Sequence, residues 1–133
     1  MGTQQLLLIV LGVIIVGIAV VVGITIFGSN ADQANKDAVT QDCLRIAAGA
    51  QGFYAKPSML GGGGNTFTGI TVADCGMKPD SNANAKYSFS AVSATSCTVK
   101  GVSNTVFKTG TTKSFLTITV TASGVGNPDY TNW

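Results

Sequence analysis

The chain divides in two by its polar pattern. From Met1 to Ala31 no side chain is charged, whereas all six Asp and all eight Lys and Arg lie between Asp32 and Asp129. Inside the charge-free part, the run from Leu6 to Phe27 (LLLIVLGVIIVGIAVVVGITIF) is apolar on every face apart from Thr25 and its glycines. As a helix it rises roughly 33 Å, enough to cross a hydrocarbon layer about 30 Å thick. A helix that is apolar all round has no place on the surface of a small domain, and the rest of the chain is too short to enclose it. It needs lipid or copies of itself. A secretory signal peptide would be shorter and would start with basic residues; MGTQQ has none.

Beyond Gly28-Ser29-Asn30 the pattern narrows to a stripe. Val39, Cys43, Ile46, Ala50 and Phe53 recur at intervals of three and four residues, while Asp32, Lys36, Asp42 and Arg45 fall mainly off that line. Lys56-Pro57 stops it. The spacing predicts one long helix from about Gly2 to Ala55, although Ser29 and Asn30 could instead cap a second helix. Gly12, Gly17 and Gly23 punctuate the apolar half. They have two readings: close backbone approach between packed helices, or points of flexibility where the helix unwinds on leaving lipid.

The remainder alternates with period two. The four glycines from Gly61 to Gly64 make a loop. Strands are expected from Phe67 to Val72, from Lys86 to Val92, from Cys97 to Val106 with a bulge at Gly101, and from Phe115 to Ala122 after a hairpin turn at 108–111. Leu116, Ile118 and Val120 share one face of the last strand; Thr117, Thr119 and Thr121 share the other. The expected fold is therefore α+β, a long helix on an antiparallel sheet of about four strands. Residues 1–28 form the apolar helix and 29–133 the globular part. The latter comprises a helix continuation (29–55), a glycine-rich loop (56–66), the sheet (67–122) and a tail (123–133).

Composition narrows the chemistry. Charged residues are 11% of the chain, and there is neither His nor Glu, which removes the commonest general base and most transition-metal sites. The net charge of +2 is scattered, so no nucleic-acid footprint is evident. No GKS/T follows the glycine run, and Asp74, Asp80 and Asp129 lack the short spacing of a calcium loop. No catalytic, cofactor or metal site is expected. Phe27 is the only aromatic before Phe53, which argues against a continuous ring stack through the helix. Cys43, Cys75 and Cys97 are too far apart for a CxxC motif; in an exported domain they suggest one disulfide and one thiol. If a six-residue strand runs back along the helix, Cys75 returns to the level of Cys43, which favours Cys43–Cys75. Cys97 is then free, with Cys75–Cys97 the competing pair. Tyr130 and Trp133 in the tail are free to dock on the subunit's own sheet or on a neighbour.

An uncharged N-terminal helix that runs on into an amphipathic one, followed by loops and an antiparallel sheet, resembles a type IV pilin. The likeness is carried by MGTQQLLLIVLGVIIVGIAVVVGI and, for a bacterial subgroup, by FYAKPSMLGGGGNTFTGITV. It implies that Met1 is the N-methylated first residue of a mature chain released by a prepilin peptidase. It further implies a pool held in the inner membrane, and delivery by pilus assembly machinery into a homopolymer at the cell surface, with roles of the adhesion or motility type. Gln5, Leu6, Leu7, Ile9, Val10, Ile14, Ile18 and Val22 would pack in the filament core. The family carries Glu where this chain has Gln5, and a helix-breaking Pro where it has Val22. Gln5 accepts a hydrogen bond but supplies no charge to a neighbour's terminal ammonium. A pseudopilin of a secretion or DNA-uptake machine shares the architecture, and the alternative from another class is a single-pass membrane-anchored extracytoplasmic binding module.

Overall fold

The computed structural model describes residues 2–104 and 112–133. Met1, the turn expected at 108–111 and the end of the strand expected to reach Val106 lie outside those residues. One α-helix, α1 (Gly2–Ala55), is unbroken α-helix at Gly12, Gly17, Gly23 and Gly28 alike. The chain forms two compact units, one ending at Ala34 and the other spanning Asn35–Trp133.

In the second unit, α1 buries the expected stripe. Val39, Cys43, Ile46, Ala47 and Ala50 are fully enclosed, and Phe53 packs against them. The helix stops where Pro57 cannot continue it. Its last carbonyls are taken by loop amides: Gly63 N–H donates to Phe53 O (2.8 Å), Gly64 N–H to Lys56 O (3.0 Å) and Asn65 N–H to Tyr54 O (2.9 Å). The glycine run is thus a helix cap as well as a loop, with Gly61 and Gly64 at positive φ.

The sheet is antiparallel, with β1 (Ala85–Ser90), β2 (Ser96–Ser103) and β3 (Phe115–Thr121) paired in that order. Two short strands, β4 (Gly124–Val125) and β5 (Asp129–Thr131), pair with opposite ends of β3. Ala85, Tyr87, Cys97, Val99, Leu116, Ile118 and Val120 point inward onto the helix stripe and are fully buried. The threonines of β3 lie on the other face, exposed or half-exposed. The fold is α+β, a long N-terminal helix with an antiparallel sheet of five strands, two of them very short.

Three expectations fail. Residues 67–72 are not a strand. Phe67, Ile70, Val72, Cys75 and Met77 are buried, but the chain reaches them through a turn with Gly69 at φ 80° and a 3-10 turn (Ala73–Cys75). There is no bulge at Gly101, which keeps regular register with Tyr87 on one side and Leu116 on the other. The Cys43–Cys75 bridge is not formed: all three cysteines are free, buried thiols. Without a returning strand, Cys75 comes to rest against Gly49, where an added methyl would meet its backbone at 2.7 Å. That level is six residues, about 9 Å, along the helix from Cys43.

Candidate functional site

Among the described residues, the apolar part of α1 is the largest exposed apolar feature. Every large apolar side chain from Leu6 to Phe27 is 50–78% exposed. Leu6, Leu7, Ile9, Val10, Ile14, Ile18 and Val22, expected in the filament core, stand in that set. Gln5 is equally exposed at its start. Full burial of such a side chain is worth about 1.5–3 kcal/mol, so seventeen of them, half-exposed or more, leave on the order of 20 kcal/mol unrealised. That exceeds the whole stability of a typical domain, about 5–15 kcal/mol. The one hydroxyl in the run is internally satisfied, since Thr25 Oγ1 donates to Val21 O at 3.0 Å. The surface can therefore enter an apolar medium without stranding a side-chain polar group.

The glycines of this segment have no packing reason inside the subunit. A methyl added at Gly12, Gly17, Gly23 or Gly28 would meet nothing within 4 Å. Each costs roughly 1 kcal/mol of helix propensity relative to alanine. Gly49 and Gly101 differ: a methyl at Gly49 strikes the Cys75 backbone, and one at Gly101 lies 2.8 Å from Cys43 Sγ. In the folded unit, glycine marks close approach. In the apolar segment the space beside each glycine is open.

The globular unit holds a polar latch between helix and strand. Tyr87 O–H donates to Asp42 Oδ2 at 2.6 Å, and Asn82 Nδ2 donates to the same oxygen at 2.7 Å. Burial and the Asp42 carboxylate together push the Tyr87 phenol well above its usual range. The thiols are raised too, first by burial: Cys43 and Cys75 to about 12 and Cys97 to about 11. Thiols so protonated are poor nucleophiles, and among the described residues no group of His, Cys or Asp is arranged to hold a metal ion.

The tail docks on its own subunit, which settles a point open in the sequence. Trp133 Nε1 donates to Phe115 O at 3.0 Å, and Ser114 Oγ donates to Asn132 O. The Tyr130 ring lies under the Lys36 ammonium, 4.1 Å from its centroid, with its hydroxyl 3.1 Å from Thr40 Oγ1. Sequence reasoning missed two exposed features: the adjacent apolar pair Met59 and Leu60, and a depression beside β1. No protein-family model matches this chain, and no curated protein or solved structure is significantly similar to it.

Proposed function

We propose that the chain is a structural subunit that polymerises through its N-terminal helix into a type IV-pilus-like surface filament. The reading rests on one observation: a helix segment some 30 Å long whose large apolar side chains are all at least half exposed. The architecture is pilin-like, one long apolar N-terminal helix with an antiparallel sheet beyond it. Gly12, Gly17 and Gly23 favour helix-on-helix packing over a solitary lipid anchor, because their open flanks suit a neighbour's backbone. Before assembly the helix rests in a membrane; in the filament, copies replace lipid. Both surroundings are apolar, so transfer never exposes the segment to water. Contacts between unlike faces of successive subunits extend without closing, which yields a fibre.

Ile14→Lys and Ile18→Lys test this. A lysine at the centre of an apolar helix costs about 2.5–3.5 kcal/mol per subunit, repeated along the filament. The expected result is loss of fibres in electron micrographs while the protein still sediments with membranes. Wild-type protein that stays as single subunits in detergent and never forms fibres points to the anchor instead.

A further inference from the structure

We propose that Met59 and Leu60 of one copy seat in the depression beside β1 of the next, with Lys56 of the first meeting Asp80 of the second.

The knob is well defined. Residues 58–60 form a 3-10 turn (Ser58–Leu60) in which Leu60 N–H donates to Pro57 O at 3.0 Å and Gly61 N–H to Ser58 O at 3.1 Å. The amides of Gly63 and Gly64 bind it to the helix end. These bonds fix the backbone that presents both side chains. Met59 is 95% exposed, more than any other large apolar residue described, and Leu60 is 68% exposed. Outside the apolar helix segment no other neighbouring pair of described large apolar residues stands out so far.

The hole is of matching chemistry. A depression of about 400 Å³ is walled by Ile70, Val72, Phe89 and Val92, with Asp80 among its lining residues. It lies at the small end of ligand-sized clefts, about 300–1,000 Å³, and suits one or two side chains. Met59 and Leu60 do not line it, so knob and hole are separate places on one subunit. The charges also match. Lys56 is exposed one turn before the knob and Asp80 is exposed at the hole. Among the described residues neither side chain has a partner.

A knob and a hole at different places on identical subunits make a heterologous contact, which propagates rather than closes. This inference rests on the filament reading and names a contact between globular parts that the helix packing does not require. A second copy is the occupant because one short segment of the chain carries both the exposed apolar pair and an exposed cation, and the depression combines an apolar wall with the exposed Asp80 carboxylate.

Two experiments on the full-length chain decide it. In the first, Met59→Cys and Val92→Cys are introduced together and assembled protein is oxidised with copper phenanthroline. A ladder of disulfide-linked multimers is expected on a non-reducing gel; the buried native thiols give no ladder in the parent chain. In the second, Lys56→Asp and Asp80→Lys each lower the yield of sedimentable fibre by about tenfold or more, through like-charge contact, and the combined variant restores it. Unchanged melting curves show that these surface variants fold. Fibres with no ladder, dimers without higher multimers, or a combined variant no better than the single ones would overturn this contact and leave the filament reading standing. Wild-type chain that never assembles would sink both.

Discussion

Gly101→Ala offers the sharpest test of how the helix meets the sheet. A methyl at this position lies 2.8 Å from Cys43 Sγ, 3.1 Å from Val39 Cγ1 and 3.2 Å from Tyr87 Cδ1. Comfortable carbon contacts need about 3.5–4.0 Å, and all three neighbours are fully buried, so none has open space to move into. Overpacking of this kind costs about 1–3 kcal/mol. Against it, alanine removes backbone freedom from the unfolded chain, worth about 0.4–1 kcal/mol in the other direction. The steric effect wins, leaving a net loss of about 1–2 kcal/mol. For a unit near 100 residues that lowers the melting temperature by about 4–8 °C per kcal/mol. The single tryptophan, Trp133, is anchored to β3 through Phe115 O and reports urea unfolding by fluorescence. Cys43→Ala in the same chain removes the nearest obstacle, so the double variant recovers about 1 kcal/mol relative to the sum of the two single losses. A Gly101→Ala variant as stable as the parent, or a strictly additive pair, refutes this account of the glycine.

Two further outcomes follow from the same interior. Asp42→Ala leaves Tyr87 O–H and Asn82 Nδ2 without their acceptor and lowers stability by about 1–3 kcal/mol, more than Tyr87→Phe does, as measured by the same urea titration. The thiols set an alkaline limit. Their folded values, about 11 to 12, lie above an ordinary 9.0, so in that window the folded chain holds protons the unfolded chain has lost. Their contribution is fully present below about pH 9 and disappears as pH rises through 11–12, at up to about 1.4 kcal/mol per pH unit for each thiol. Urea midpoints flat from pH 6 to 8.5 and falling above 9 are expected, with three thiols alkylated only after denaturation. A midpoint that rises above pH 9 contradicts it.

The parts legible in the sequence were those in which one period dominates. The helix stripe from Val39 to Phe53 and the alternation of Leu116, Ile118 and Val120 each repeat the geometry of their own element, so burial could be read off spacing. Residues 67–72 are not the expected strand because Phe67, Ile70 and Val72 are β-formers buried by the path of a loop, and no local period reports that path. Gly101 was ambiguous in principle. A glycine within a strand marks either a bulge or the close approach of another backbone or side chain. Only the position of Cys43 across the core decides between them. The disulfide expectation failed with the strand it was built on, since the level of Cys75 along the helix depended on a segment of the wrong length. In the apolar segment, sequence and structure agree on which residues are available, because a run apolar on every face needs no period to be read.

The edges of the sheet bear on how copies could join. A free strand edge invites pairing with another chain, and two blunt edges remove that route. On one side β3 is occupied along its length: β5 pairs with residues 115–117, Gly126 N–H donates to Thr119 O at 2.7 Å, and β4 pairs with Val120 and Thr121. Pro128, between β4 and β5, has no N–H to offer a further strand. On the other side, Ala85 N–H donates to Asn82 Oδ1 and Tyr87 N–H to Asp80 O, so residues 80–82 cover the Ala85–Tyr87 half of β1. Assembly by strand addition would first have to displace these bonds. The surfaces that need no such rearrangement are the apolar segment of α1 and the exposed knob and depression. On the filament reading, side-chain contacts rather than a shared sheet are the expected route of assembly. The fibres should lack the strong 4.7–4.8 Å cross-β reflection, and a fibre diffraction pattern dominated by that spacing would mean that the globular unit had opened to assemble.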